Sequence, residues 1–467
     1  MTGATPAAAR SPWVVFSAVS VGTFMSTLDG SIVNVALPTL GLALDAPIDR
    51  LEWIVAGYLL TLSVTLLVAG RLGDLFGHRR VYAAGLLLFT LGSGLCGAAP
   101  SLEALVAARV LQALGASLTM AVGPAVVTAA FPPDMRGRAL GALGSAVSIG
   151  LTVGPPLGGL VLQALSWRWI FLVNLPIGLA CTLWALRVLP APAPAKGARF
   201  DAPGAVLLAA ALGLGIVALD TLPDRVVQTT PLLLLAAAAA ALLALRLRRA
   251  PEPILDAAVV MAPGVGSGLL AGLLSYVAMF TQTLLTPFLL ARVFGLPPGG
   301  VGAFLIAVPL AMAVAAPFAG WLADRFGGRA LPALGMAALA AALQGLSVAG
   351  PGTWLPSVAG WLALAGAGMG FFQAPNNSAV MGAIPRPKLG AGGGLLATAR
   401  NVGMAVGVAV AGSLFALRAG AGLDPAAFLP GYALALRAGA AVAIAAGLLS
   451  LFTRVAPRAP EPDAPSR

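Results

Sequence analysis

Apolar runs of about twenty residues recur along the whole chain, separated by short polar stretches. The first covers 13–37, and others follow at 51–70, 80–99, 103–129, 138–163, 168–189, 204–220, 231–247, 266–290, 301–322, 330–350, 354–381, 394–417 and 431–453. At about 1.5 Å of rise per residue, runs of this length cross a hydrocarbon core as helices. The pattern predicts an all-α integral membrane protein with fourteen transmembrane helices. A single ionisable residue, Asp29, interrupts the first run. An aspartate at a helix centre costs roughly 2.5 to 3.5 kcal/mol on insertion scales, so it is expected to face a partner or a water-filled path rather than lipid. The stretch LDGSIVNVALP, Leu28 to Pro38, is therefore the first candidate for chemistry, with Asp29 as the expected proton site.

Composition narrows the class. Of 467 residues, 59% are hydrophobic and 9% charged, with mean hydropathy +0.96, whereas soluble domains carry about a quarter charged residues. The formal net charge of +11 does not point to nucleic acid, because the basic residues fall in short clusters between apolar runs, as membrane topology requires. Cys96 and Cys181 both lie within apolar runs, without the spacing of a metal or redox motif, and are expected to fill the core. His78 is the one histidine. A His-based catalytic or metal centre is thereby excluded, no metal, cofactor or catalytic residue is expected, and His78 itself is expected to be a solvated loop residue. Residues 1–11 are small and polar, and no small-residue cleavage site follows the first run, so the first span is expected to be retained.

The basic residues also set orientation. With the N-terminus inside, nineteen Lys and Arg fall in cytoplasmic segments. Five (Arg50, Arg168, Arg225, Arg292 and Arg418) fall outside, and Arg109, Arg400 and Arg437 lie within or at the edges of spans. This bias predicts cytoplasmic termini in a plasma membrane. Arg400 is expected to snorkel to the cytoplasm and Arg437 outward.

An internal repeat divides the chain. GRLGDLFGHRR, Gly70 to Arg80, returns as GWLADRFGGR, Gly320 to Arg329, at an offset of 250 residues, with Asp74 matching Asp324, Gly77 matching Gly327 and Arg79 matching Arg329. A fainter pair, FPPDMRG from Phe131 and IPRPKLG from Ile384, repeats at an offset of 253. Both pairs become equivalent cytoplasmic loops if residues 1–190 and 251–455 each form a six-helix bundle in parallel repeat. Residues 191–250 are then a linker with two inserted helices, and 456–467 a cytoplasmic tail. Two such halves suit a rocking transporter with its site between them. Asp201 is placed to cap the helix after the linker, with Pro203 in its first turn.

These stretches carry a resemblance. GRLGDLFGHRR resembles the signature loop of the major facilitator superfamily, and over nearly its whole length the chain is similar to the fourteen-span drug:proton antiporter family. LDGSIVNVALP resembles that family's first-span motif, ARVLQALGAS (Ala108 to Ser117) its fourth-span basic motif, GLTVGPPLGG (Gly150 to Gly159) its fifth-span antiporter motif, and WRWIFLVNLPIG (Trp167 to Gly178) the opening of its sixth span. The resemblance implies a gating loop formed by Gly70, Gly73, Asp74, Gly77, Arg79 and Arg80, echoed by Asp324 and Arg325. It also implies a seal between the halves at Gly150, Gly154, Pro155, Gly158 and Gly159 that favours exchange over uniport. Ala113 stands where the family has glycine, which removes one site of close helix packing.

Arg109 is the second charge deep in the bundle. Asp29 lies about nine residues before Pro38 and Arg109 about nine after Pro100, which puts both about 13 Å below the outer surface. Gln112 shares a helix face with Arg109. The pair is expected to couple protons, the plainer alternative being a static ion pair that orders the bundle. Asn34, Gln112, Tyr276, Phe280, Gln282, Phe372, Gln373 and Asn376 are candidates for the wall of a substrate cavity. The expectation is a monomeric secondary transporter in the lipid bilayer. It would export small lipophilic compounds, such as drugs or antibiotics, in exchange for protons. With Asp29 as the one deep acid, neutral or monovalent cationic substrates are expected. A dedicated natural-product exporter and an uncoupled facilitator are the alternatives.

Overall fold

In hydrocarbon every backbone N–H and C=O must be satisfied within the segment, so the apolar runs become helices. The computed structural model describes residues 11–132, 135–190, 201–221, 226–250, 257–326, 330–384, 389–419 and 425–452, and no strand occurs among them. In chain order the helices are α1 (Pro12–Ala43), α2 (Ile48–Phe76), α3 (His78–Ala98), α4 (Leu102–Ala130), α5 (Arg136–Ala164) and α6 (Trp169–Leu172 with Asn174–Val188). They continue with α7 (Ala202–Thr221), α8 (Val226–Arg249), α9 (Val265–Phe288), α10 (Pro298–Leu305 with Ala307–Phe326), α11 (Leu331–Ser347), α12 (Leu355–Gly382), α13 (Leu389–Ala419) and α14 (Pro425–Ser450). A single turn, Ala257–Val260, precedes α9.

Among the described residues twelve helices are long and apolar enough to cross a membrane. The sequence pattern leads one to expect fourteen. Of the other two, α11 has only 17 residues, and α1, with 32, carries the Ser, Thr, Asn and Asp positions that dilute its hydropathy.

Local sequence explains the breaks and turns. Pro176 and Pro309 have no N–H for the carbonyl four residues earlier, and α6 and α10 are interrupted at Val173 and Ile306, three residues before each proline. After Pro287, α9 widens into a π-helical stretch, Leu289–Val293. Gly77 alone joins α2 to α3 at φ 89° and ψ 130°, a positive-φ conformation that costs an L side chain about 1 to 3 kcal/mol. Ser101 caps α4 by accepting the Ala104 N–H at 3.3 Å, and Asp201 caps α7 through the Gly204 N–H at 3.1 Å. Asp201 also pairs with Arg246 of α8 at 3.1 Å, which ties α7 to α8.

Packing is helix on helix throughout. In the first part of the chain α3 packs on α4, α2 on α4, α1 on α5, and α6 against α3 and α1. In the last part α11 packs on α12, α10 on α12, α9 on α13, and α14 against α11 and α9. Between the two parts α5 meets the start of α10, α2 meets α13, and α1 touches α9. The helices α7 and α8 pack on each other, and α7 also reaches α2 and α13. The loss of glycine at Ala113 does not loosen α3 from α4, because other glycines bring the two backbones together. A Cβ on Gly92 would come within 2.6 Å of the Gln112 Cα, and one on Gly115 would strike the backbone of Phe89.

Candidate functional site

The acid of α1 and the arginine of α4 meet inside the first helices. Arg109 Nη1 donates to Asp29 Oδ2 at 2.5 Å, and both side chains are 1% exposed or less. Each has further partners. Arg109 Nη1 lies 2.6 Å from Gln112 Oε1, its Nε donates to the Ile54 carbonyl at 3.2 Å, and its guanidinium carbon sits 4.0 Å from the centre of the Tyr58 ring. Gln112 Nε2 donates to Asp29 Oδ1 at 2.8 Å and to Ser93 Oγ at 2.6 Å. Asn174 Nδ2 donates to the same Asp29 oxygen at 3.1 Å and reaches Ser93 Oγ at 3.3 Å. Five helices, α1, α2, α3, α4 and α6, thus contribute to one buried network centred on a single carboxylate.

The sequence places Asp29, Arg109 and Gln112 together, and so does the structure. It places Asp29 beside a partner or a water-filled path, and here the partner alone is present, with Asp29 closed off from solvent. Ser93, Tyr58 and Asn174 went unrecognised as members. Asn174 lies in the quoted sixth-span motif, and the break at Val173 turns it toward Asp29, a signal that Pro176 could have supplied. Cys96, expected as filler, lies 3.8 Å from Gln112 Oε1 at the network's edge. Glu52, the fifth residue of α2, is a further buried acid that its position at the edge of a run concealed; it packs directly against α13 at Gly412.

The expected seal residues have two faces. Gly150, Gly154 and Gly158 press α5 onto α1 at Thr27, Ser31 and Ile32. Pro155 and Gly159 instead meet α10, where a Cβ on Gly159 would come within 2.5 Å of the Pro298 carbonyl and the Gly302 position abuts the Pro155 carbonyl. Proline and glycine allow this approach because neither presents a bulky side chain to the facing backbone. Towards the open end of these helices, Cβ atoms on Gly141 and Gly144 of α5 and Gly320 of α10 would meet nothing within 4 Å.

At that open end lies the expected gating loop. Asp74 contacts His78 Nε2 at 3.4 Å and Arg71 at 3.7 Å, so His78 begins α3 as a partner of Asp74 rather than as a free loop residue. Gly73 allows the turn to close, since a Cβ there would come within 2.8 Å of Val122. Arg79 donates to the Leu186 carbonyl at the end of α6. Gly70 faces open space, and Arg80 is exposed. Of the echoed loop, Arg325 stacks near Trp321 at 5.6 Å. Gly327, Arg329 and the side chain of Asp324 lie outside the described residues, as do Pro385 to Lys388.

The expected cavity residues separate into two groups. Gln112, Gln282, Phe372 and Asn376 are buried between helices. Gln282 bonds within its own helix to Thr283 and Thr286, and Asn376 donates to the Gly268 carbonyl at 3.1 Å. Asn34, Tyr276, Phe280 and Gln373 are partly exposed. Asn34 sits one turn after Gly30, where a Cβ would meet nothing within 4 Å, so this face of α1 is open. Tyr276 and Phe280 stand on the Gly403 and Gly407 face of α13. Arg400 does not run free to a helix end. It is the twelfth residue of α13, beside the Tyr276 hydroxyl, which also faces Gln373. Among the described residues no group of three or more His, Cys, Asp or Glu is arranged to hold a metal.

Comparison with known proteins fits this architecture. The sequence matches the profile of the Major Facilitator Superfamily over residues 19–408, and again over 268–467. It is 34% identical over 401 residues to the riboflavin transporter RibZ of Clostridioides difficile, spanning 86% of this chain and 87% of that protein. It is also 34% identical over 408 residues to the multidrug resistance protein Stp of Mycobacterium tuberculosis, spanning 86% of this chain and 76% of that one. Among solved structures, a bacterial homologue of the human lysosomal transporter Spinster, crystallised inward-facing and occupied, superimposes with a TM-score of 0.71. That match has 14% identity and covers 97% of this chain and 98% of the other.

Proposed function

The chain belongs to the Major Facilitator Superfamily, and from that premise we propose that it is a fourteen-span antiporter that exports small, largely apolar compounds such as drugs or antibiotics in exchange for protons. That it is a multi-pass plasma-membrane transporter rather than an enzyme follows from the family itself. The finer reading rests above all on the Asp29 network. Asp29 is a buried carboxylate paired with an intramembrane arginine, and Arg109 keeps Gln112, the Ile54 carbonyl and the Tyr58 ring as partners if Asp29 is neutralised. A proton on Asp29 therefore releases α1 from α4 without stranding a bare guanidinium. Because α1 also packs on α5, which seals against α10, the release reaches the interface between the halves.

Two further features support the architecture. The pairings among α1 to α6 recur among α9 to α14 with each helix number raised by eight, as two bundles in parallel repeat require. The helix α11 lies between α12 and α14, where a spanning helix belongs, and α1 is long enough at about 1.5 Å per residue to span with a margin. With Arg and Lys marking the loop end as cytoplasmic, the closed contacts at Pro155, Gly159 and Pro298 are extracellular, and the protein is open inward. Resistance conferred by a transporter means removal of the compound from the cell, and the multidrug resistance relative favours that direction. The riboflavin transporter relative favours a second reading, a carrier of one heteroaromatic nutrient.

Flux assays with the full-length protein in liposomes test the coupling. An imposed pH gradient is expected to drive accumulation of a resistance-screen substrate by the wild type. Asp29→Asn is expected to lose that accumulation while retaining substrate-for-substrate exchange. Gradient-driven accumulation by Asp29→Asn at the wild-type rate would remove Asp29 as the proton site.

A further inference from the structure

Arg400 is a charge that the proton mechanism leaves unused. It lies about 9 Å past the start of the apolar run of α13 at 1.5 Å per residue, and a charge within a span is costly unless compensated. Arg109 illustrates full compensation, with a carboxylate, an amide, a carbonyl and an aromatic face around one guanidinium. The surroundings of Arg400 differ. Its polar neighbours among the described residues include the Tyr276 hydroxyl and, beyond it, Gln373, neither of which carries a counter-charge. Among the described residues no carboxylate lies within ion-pair distance of it.

Its position is on an open face. Arg400 follows Gly393 by seven residues, which brings both to nearly the same side of α13, and a Cβ on Gly393 would meet nothing within 4 Å. Tyr276, Phe280, Gln373 and Arg400 are all partly exposed, and Gln373 also reaches Met312 of α10 at 3.9 Å. The group therefore runs across the wall from α13 over α9 and α12 to α10, helices that pack in that order. An aromatic pair, an amide, a thioether and a guanidinium fork on one wall form a site for an aromatic body carrying an acceptor group.

Resting on the export reading above, we propose that Arg400, with Tyr276 and Gln373, binds the anionic or acidic oxygen group of an aromatic organic anion, which is this transporter's preferred substrate class. A guanidinium presents donors in a fixed fork that matches a carboxylate or enolate, and an anion supplies the charge that Tyr276 and Gln373 do not. The same charge disfavours cations on this wall, and Asp29 offers them no counter-charge because it is enclosed and paired with Arg109. This proposal differs from the expectation of neutral or monovalent cationic substrates drawn from the sequence.

Two xanthene dyes of similar frame and opposite charge test the assignment, fluorescein as its anion and rhodamine 6G as a cation, in dye-for-dye counterflow by the full-length protein in liposomes. Wild type is expected to exchange fluorescein in preference to rhodamine 6G. For Arg400→Gln, KM for fluorescein is expected to rise at least about tenfold, the scale of one charge-assisted hydrogen bond, with partial recovery in Arg400→Lys. Gln373→Glu, which sets a carboxylate beside the arginine, is expected to lose fluorescein and gain rhodamine 6G. An unchanged fluorescein KM in Arg400→Gln, or a wild type that exchanges rhodamine 6G and not fluorescein, overturns the proposal. If Arg400→Gln does not elute as a folded protein, Gln373→Glu decides, and a wild-type fluorescein KM there overturns it. Counterflow needs no proton gradient. Loss of pH-driven flux with Arg400-dependent counterflow intact would therefore count against antiport alone.

Discussion

At the scale of single residues, the two members of the buried pair are not equivalent. Removing one partner of a buried ion pair typically costs about 3 to 5 kcal/mol, because the other charge is left uncompensated. Asp29 depends on Arg109 for charge, with only the neutral amides of Gln112 and Asn174 besides, whereas Arg109 has a carbonyl and a ring in reserve. Arg109→Gln is therefore expected to lower the thermal midpoint of the detergent-solubilised protein by more than Asp29→Asn does, and the double variant is expected to recover most of the loss. Equal losses in the two single variants would show that Arg109 has no such reserve. The charged members of this cluster were readable from the sequence because a charge in an apolar run is expensive and therefore conspicuous. Ser93, Tyr58 and Asn174 were not, since hydroxyl, phenol and amide groups are common in spans and incur no comparable penalty. Arg400 is visible in the sequence, where it reads as a snorkelling side chain; its neighbours on α9 and α12 could only be supplied by the fold.

At the scale of elements, prolines and glycines decide where helices break and how closely they approach. The interruptions of α6 and α10 follow from Pro176 and Pro309, and the turn between α2 and α3 follows from Gly77. Gly77→Ala forces a side chain into a positive-φ conformation that glycine alone adopts readily, at about 1 to 3 kcal/mol, and is expected to shift α3 relative to α2 and carry His78 away from Asp74. The expected outcome is slower turnover with unchanged KM in counterflow; a raised KM at wild-type turnover would place the loop in binding rather than gating. Helix existence and order were legible from periodicity along the whole chain. Helix ends were less so, because α1, α2 and α13 extend several residues past their apolar runs.

At the scale of the whole molecule, the repeated loop pointed to two related halves, but the contacts between them could not be read from the sequence. They depend on backbone surfaces at Pro155, Gly159, Pro298 and Gly302 that have no side-chain signature beyond small size. Cysteines placed at Gln163 of α5 and Gly299 of α10, where a Cβ on Gly299 would meet only the end of the Gln163 side chain, are expected to be joined by a short, reducible bifunctional thiol reagent in the substrate-free protein and to stop flux, with reductant restoring it. The background is low because Cys96 and Cys181 are both buried. Efficient transport by the cross-linked protein would mean that the two helices do not separate during the cycle.

The helix pair α7 and α8 bears on the same motion. Ser413 of α13 donates to the Leu219 carbonyl of α7 at 2.9 Å, and α7 also lies against α2, so one helix touches both sides of the seam. Any displacement of α2 relative to α13 must slide at least one of those contacts. The pair α7 and α8 thus stands in the path of any relative movement of α2 and α13, with α7 in contact with both and α8 exposed along most of its length.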